Sequence, residues 1–286
     1  MIEILLHTLL HTLLDTAKLL PFLFLTYLLM EYLEHRADGA TERLLRGSGR
    51  VGPLVGSLLG AVPQCGFSAA ASGLYAGRIL TTGTLIAVYL STSDEMLPIM
   101  ISGGAPVGMI LKILGIKIGI GMVVGFAIDG ISTLLSRGKP HEVHTHIEDI
   151  CEREKCNCGE HFARSAVKHT LRVAVFILAV CFALNLAVEL IGEDTISSIL
   201  LDRPVLGNIL STLVGLIPNC ASSIILTELY LGGVLSMGAM MSGLLVNSGI
   251  ALAILFRNNR PVSDSFRILL ILVLIALTSG IVIDLI

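Results

Sequence analysis

Long apolar stretches separated by short polar turns run the length of the chain. They are Leu19–Leu33, Ile79–Leu90, Val107–Ile128, Val173–Ile191, Val234–Phe256 and Ile268–Ile286. Each approaches or reaches the ~20 residues that an α-helix needs to cross a bilayer. The pattern predicts four elements in each half. Helix one is Leu13–His35, matched by Lys168–Leu190. An interrupted segment follows, Pro53–Gly77, matched by Asn208–Gly232. The third element is Ile79–Ser102, matched by Val234–Arg257, and the fourth is Ala105–Thr133, matched by Ser265–Ile286. Each arm of the second element is too short to span, which predicts a re-entrant hairpin turning at Pro63-Gln64-Cys65 and again at Pro218-Asn219-Cys220.

The halves match because the chain repeats itself. Gly60-Ala61-Val62-Pro63-Gln64-Cys65-Gly66-Phe67-Ser68 returns 155 residues later as Gly215-Leu216-Ile217-Pro218-Asn219-Cys220-Ala221-Ser222-Ser223. The same offset, without a gap, pairs Glu34 with Glu189, Gly52 with Gly207, Tyr75 with Tyr230, Gly83 with Gly238, Ser93 with Ser248 and Asp129 with Asp284. The division is an interfacial or anchoring segment 1–14, a membrane repeat 15–133, a linker 134–168 and a second repeat 169–286. A duplicated apolar unit with helices broken at matching places points to a transporter-type site at the repeat interface.

Composition agrees with the pattern: 54% of the 286 residues are hydrophobic and 14% charged. That places the chain among all-α integral membrane proteins, with the lipid bilayer as its first partner. There is no basic stripe for nucleic acid. The N-terminus lacks a signal-peptide cleavage pattern, so it is expected to stay as an anchor.

Charge distribution predicts orientation. The loop after helix one carries Arg36, Arg43, Arg46 and Arg50, whereas its counterpart carries Glu193, Asp194 and Asp202 against Arg203. By the positive-inside rule the first loop is cytoplasmic and the second external. Equivalent loops on opposite faces imply inverted topology in the plasma membrane, with three spans and a re-entrant hairpin per repeat. The linker is then cytoplasmic and both termini external.

Three groups of residues could carry chemistry. At the hairpin turns, Gln64, Cys65 and Ser68 recur as Asn219, Cys220 and Ser223, offering thiols, amides and hydroxyls that suit a soft metal ion or a thiophilic oxyacid. The bland alternative is that the turns permit tight packing and Cys fills space. In the third element, Ser91-Thr92-Ser93-Asp94-Glu95 interrupts an apolar run. Asp94 and Glu95 there default to cation coordination or to work with a coupling proton. The equivalent positions 246–250 keep Asn247 and Ser248 but lose both acids, and Glu228 in the second hairpin is expected to be a buried counterpart charge. The linker holds His141, His144, His146, Cys151, Cys156, Cys158 and His161, ligand-dense spacings for Zn, Cu or Ni in a cytosolic loop, or else a solvated charged connector. Glycines such as Gly115, Gly119, Gly121 and Gly125 read as close helix packing, and Asp129 and Asp284 as local caps.

The Pro63-Gln64-Cys65-Gly66-Phe67-Ser68 turn, the Ser91-to-Pro98 run, the Pro218-Asn219-Cys220 echo and the His/Cys-rich linker together resemble the ten-helix heavy-metal exporters. These are labelled arsenic efflux proteins or manganese transporters and are distantly like the arsenical permeases. The resemblance covers nearly the whole chain. It implies secondary export of a metal or metalloid ion, with no resident cofactor beyond a transported or linker-bound metal. It leaves a homo-oligomer open. No Walker motif is present for ATP hydrolysis. The alternative reading is a lipid-phosphate transporter or membrane phosphatase of inverted-repeat architecture. Such a site needs Arg or Lys on the phosphate, and the turns carry none.

Overall fold

The computed structural model describes residues 51–63, 65–93, 95–135 and 204–285, with single positions between 12 and 28 and between 167 and 182. The first helix of each repeat, apart from those positions, and the whole linker lie outside the described residues. So do Gln64, Asp94 and the side chains of Cys65 and Cys220.

Every regular element among the described residues is a helix. In the first repeat the helices are α1 (Gly52–Gly60), α2 (Cys65–Ala76), α3 (Thr82–Ser91), α4 (Met96–Ser102) and α5 (Val107–Leu135). In the second they are α6 (Pro204–Gly215), α7 (Cys220–Leu231), α8 (Met237–Val246), α9 (Ala251–Asn258) and α10 (Val262–Leu285). From α2 and α7 onward, equivalent helices begin 155 residues apart, the offset of the sequence repeat. Four stretches are long and apolar enough to cross a membrane: Thr82–Ser102, Val107–Leu135, Met237–Asn258 and Val262–Leu285. The chain is a multi-pass membrane protein.

Local chemistry sets the helix starts. Thr81 caps α3 by accepting from Thr84 N at 3.1 Å, and Ser236 caps α8 by accepting from Ala239 N at 3.1 Å. Each cap is tied to the last span of its own repeat. Asp129 accepts from Gly83 N at 2.9 Å and from the Thr81 hydroxyl at 2.7 Å. Asp284 does the same with Gly238 N at 2.7 Å and the Ser236 hydroxyl at 2.9 Å. Glycines let these backbones meet: a Cβ at Gly83 or Gly238 would stand 2.2 Å from the Gly125 or Gly280 carbonyl. The expectation for the glycine-rich span is therefore half corrected. Gly121 and Gly125 pack against α3, whereas no described residue lies within 4 Å of a Cβ at Gly115 or Gly119.

The hairpin is visible in its contacts. Gly52 lies against Thr84, and Tyr75 Oη meets Thr82 Oγ1 at 3.2 Å, so both open ends sit beside the start of α3. Gly60 lies against Ser91, and Ser93 donates to the Ala61 carbonyl at 2.6 Å, so the tip sits beside the end of α3. Thus α1 follows α3 and α2 returns along it. In the second repeat Gly215 packs in the same way against Gly243 and Val246.

Burial orders the elements. In the broken stretches Thr82–Ser102 and Met237–Asn258, 71% and 89% of the apolar window is buried, against 22% for each of the unbroken spans α5 and α10. The broken helices form the centre, where Leu85, Tyr89, Met96, Leu244, Leu252 and Leu255 share one core. The outer spans turn Leu111, Val123, Leu270 and Leu274 outward, the arrangement expected of surfaces that lipid covers.

The repeats also cross. Ser72 of α2 donates to the Ala251 carbonyl at the start of α9 at 2.9 Å. Beyond α2, Arg78 donates to the Arg260 carbonyl at 2.7 Å, and Tyr75 donates to Asp264 at 2.8 Å. At the other end of the molecule, a Cβ at Gly103, just past α4, would meet Leu231 at the end of α7 at 2.8 Å.

Candidate functional site

Both central spans break at equivalent places, by different chemistry. In the first repeat, the Ser91 hydroxyl donates to the Ala87 carbonyl at 2.8 Å and Thr92 to the Val88 carbonyl at 2.8 Å. Side-chain hydroxyls thus take carbonyls of the final turn, and α3 stops. The chain re-enters a helix at Glu95, the N-cap position of α4, whose side chain is half-buried and makes no capping bond. Pro98 falls in the first turn of α4, where a missing N–H costs nothing. In the second repeat, Asn247 Oδ1 accepts from Gly249 N at 2.8 Å, a local side-chain turn. Gly249 has φ +57, the left-handed region that glycine enters without strain. Its first-repeat counterpart is Asp94.

The breaks are buried and polar. Ser91, Thr92, Ser93, Asn247 and Ser248 are all buried. Asn247 Nδ2 and Ser248 Oγ have no hydrogen-bond partner among the described residues, a state they share with Ser211 Oγ and Asn259 Oδ1. An unmet buried donor costs roughly 1–3 kcal/mol. Two adjacent ones at the break of a central span mark a place where another polar group belongs.

Sequence reasoning missed one residue here. Lys117, in the middle of α5, is fully buried. Its Nζ donates to the Thr92 carbonyl at the first break, and to the Leu244 carbonyl in the last turn of α8 at 3.1 Å. It joins the two repeats at their breaks. The signal was present: Lys117 interrupts the apolar run Val107–Ile128, and at the repeat offset it faces Leu272, an apolar residue. An ionisable residue inside a span is a functional candidate by default.

The other expected residues fall as follows. Ser68 and Ser223 are buried at equivalent positions, and their carbonyls accept from Ser72 at 2.8 Å and Thr227 at 2.6 Å. Asn219 is buried at the second hairpin tip, its N–H donating to the Ile217 carbonyl at 2.7 Å. Ser93 links the first tip to the first break. Glu228 does not meet expectation: it is exposed, close to the Leu231 end of α7 and away from the breaks. At the last turn of a short arm, a carboxylate reaches water at little cost. Gln64 and Asp94, the thiols of Cys65 and Cys220, and the linker ligands His141, His144, His146, Cys151, Cys156, Cys158 and His161 lie outside the described residues. Among the described residues no cluster of three or more His, Cys, Asp or Glu could hold a metal.

A cavity of about 300 Å³ lies between α1, α2 and α3, lined by Val55, Leu59, Phe67, Leu74, Leu80 and Val88. Among the described residues, Thr81 and Thr84 supply its only polar side chains, so that lining suits an apolar group and not an ion.

Residues 133–257 match the family model described as "Putative, 10TM heavy-metal exporter". The chain is similar to a family of heavy-metal exporters. The matched stretch takes in the linker and the second repeat through its hairpin and broken span, and it bears out the resemblance read from the sequence. No curated protein and no solved structure matches the chain.

Proposed function

We propose that the protein is a secondary transporter that exports a metal or metalloid ion through a centre built from the two helix breaks and the two hairpin tips. The observation that carries this reading is the buried pair Asn247 Nδ2 and Ser248 Oγ, two donors unmet among the described residues, in the middle of the most buried of the four candidate spans. Unwound backbone and unmet polar groups at membrane depth are tolerated where they face a site. The family match supplies the substrate class.

We further infer inverted repeats. The end of α2 meets the segment after α9, through Arg78 and Arg260. The end of α7 meets the segment after α4, through Leu231 and Gly103. Since α2 ends beside the start of α3, the stretch α3–α4 runs from the Arg78 face to the Gly103 face. If α7 likewise ends beside the start of α8, the stretch α8–α9 runs back. The face holding Arg78, Arg257, Arg260 and Arg267 is then cytoplasmic by the positive-inside rule, and the linker follows α5 on that side. Two inverted hairpins bring Cys65 and Cys220 towards one axis as ligands for a soft ion. The centre binds and releases an ion and breaks no bond, so the protein is not an enzyme. The lipid-phosphate reading has no comparable support, because Arg78 is engaged by Asp264 at 3.4 Å and lies away from the breaks.

The test is efflux from a host lacking its own exporters, with cellular metal measured across soft and hard ions. Asn247→Leu with Ser248→Ala should reduce export of the transported ion at least tenfold. Cys65→Ser and Cys220→Ser should each impair a thiophilic ion, with the double variant little worse than the worse single, because two ligands to one ion act as a unit. Mn²⁺, which prefers oxygen, should tolerate both serines. Unchanged export of every ion in the Asn247/Ser248 variant would refute the placement of the site.

A further inference from the structure

The last carbonyls of a helix have no intrahelical partner and carry the negative end of its dipole. Two such ends, those of α3 and α8, approach each other at the breaks. One carbonyl from each, Thr92 O and Leu244 O, accepts from the same ammonium, Lys117 Nζ. The lysine side chain is wholly buried. An isolated ammonium there would be very costly, and the two carbonyl dipoles contribute to making it tenable. Carbonyls freed by unwound helices are also the groups with which broken-helix transporters hold a free monovalent cation.

We propose that Lys117 is the tethered resident cation of a carbonyl site shared by the two repeats, filling the place a free monovalent cation would otherwise occupy. This goes beyond the transport reading and assigns a role to a residue outside the expected site. The asymmetry of the repeats fits it. Leu272 holds the position equivalent to Lys117 and is also fully buried. A single ammonium reaches both breaks, and a second one at the same crossing would repel the first. A tethered cation cannot leave with the substrate. The breaks therefore keep their charge compensation without Na⁺ or K⁺ in the medium.

The experiment is thermal unfolding of the detergent-purified protein in chloride salts of Na⁺, K⁺, ammonium, methylammonium and N-methylglucamine at one ionic strength. The parent protein and Lys117→Arg, which keep a tethered cation, should unfold at the same temperature in every salt. Lys117→Ala should unfold several degrees lower in N-methylglucamine, a cation too large to enter. At least half of that loss should return, saturably, with one or more of the small cations. Lys117→Gln, an uncharged side chain one atom shorter that keeps an amide donor, should show the same rescue if the alanine variant is lost on extraction. An alanine or glutamine variant that matches the parent in all salts, or that is weakened equally in all, overturns the proposal. So does failure of both variants to survive extraction in every salt. The readout is stability and not flux, so it stands or falls apart from the transport reading.

Discussion

The two repeats share a set of scaffold contacts and differ most at the breaks where they meet. Thr81, Gly83 and Asp129 reappear as Ser236, Gly238 and Asp284, with the same two hydrogen bonds to the carboxylate. Ser72 and Thr227 make the same backward bond in the returning hairpin arms. At the breaks the correspondence weakens, although Ser93 and Ser248 are kept. Lys117 stands opposite Leu272, Glu95 opposite Ile250, and Tyr89 opposite Leu244. The Tyr89 hydroxyl meets Ser72 Oγ at 2.6 Å, a bond that Leu244 cannot make with Thr227. A duplicated unit keeps the contacts that hold each copy together. The residues at the crossing answer to one shared centre, where two identical charges would be a liability, and there the copies diverge.

The comparison can be broken first at the scaffold, where the largest stability effect is expected. Gly83→Ala and Gly238→Ala should each cost about 1–3 kcal/mol, because the added carbon meets backbone that cannot give way without parting two helices. Gly115→Ala and Gly119→Ala, with no described neighbour within 4 Å of the added carbon, should be neutral or gain up to about 1 kcal/mol from helix propensity. Thermal unfolding in detergent reads all four. A large cost at Gly83 with none at Gly238 would show that the copies are not equivalent scaffolds.

Next comes the asymmetric break. Asp94→Asn with Glu95→Gln should leave the protein folded and in the membrane while lowering efflux at least tenfold or altering its pH dependence. Full efflux in that double variant would remove both acids from the mechanism.

The caps should give a smaller effect. Asp129→Asn and Asp284→Asn keep the shape of the side chain but lose charge-assisted bonds, at roughly 1–2 kcal/mol each. Chemical denaturation should register both, with efflux near the parent level. A loss of efflux from one alone would move that aspartate into the site.

The smallest effect is expected from the linker. Replacing His141, His144, His146, Cys156, Cys158 and His161 together should lower metal bound by the purified protein and weaken export at low substrate. Export at saturating substrate should survive, since the membrane unit is intact. Its complete loss would mean that the linker supplies a ligand or gate.

Much of the fold was legible because repetition and interruption are properties of the sequence itself. Pro63 and Pro218 at one offset, in arms too short to span, announce a hairpin, and Ser91-Thr92 against Val246-Asn247 announces a break. What escaped was anything decided by neighbours distant in the chain. Lys117 gains its meaning from Thr92 and Leu244, which become neighbours only once the two breaks meet. Gly121 and Gly115 look alike in sequence, and the face each presents separates them. Glu228 was expected to be buried because its arm is apolar, but it is only three residues from the Leu231 terminus, where the carboxylate is exposed.

The central claim is that the two repeats run in opposite directions around one centre. Gly108 and Ser263 are equivalent positions in the first turns of α5 and α10, both exposed, and no described residue lies within 4 Å of a Cβ at Gly108. Gly108→Cys and Ser263→Cys should be treated in intact cells with a membrane-impermeant maleimide, over the background of the parent chain. The account predicts labelling of Gly108→Cys from outside and of Ser263→Cys only after permeabilisation. Labelling of both from the same side would contradict it.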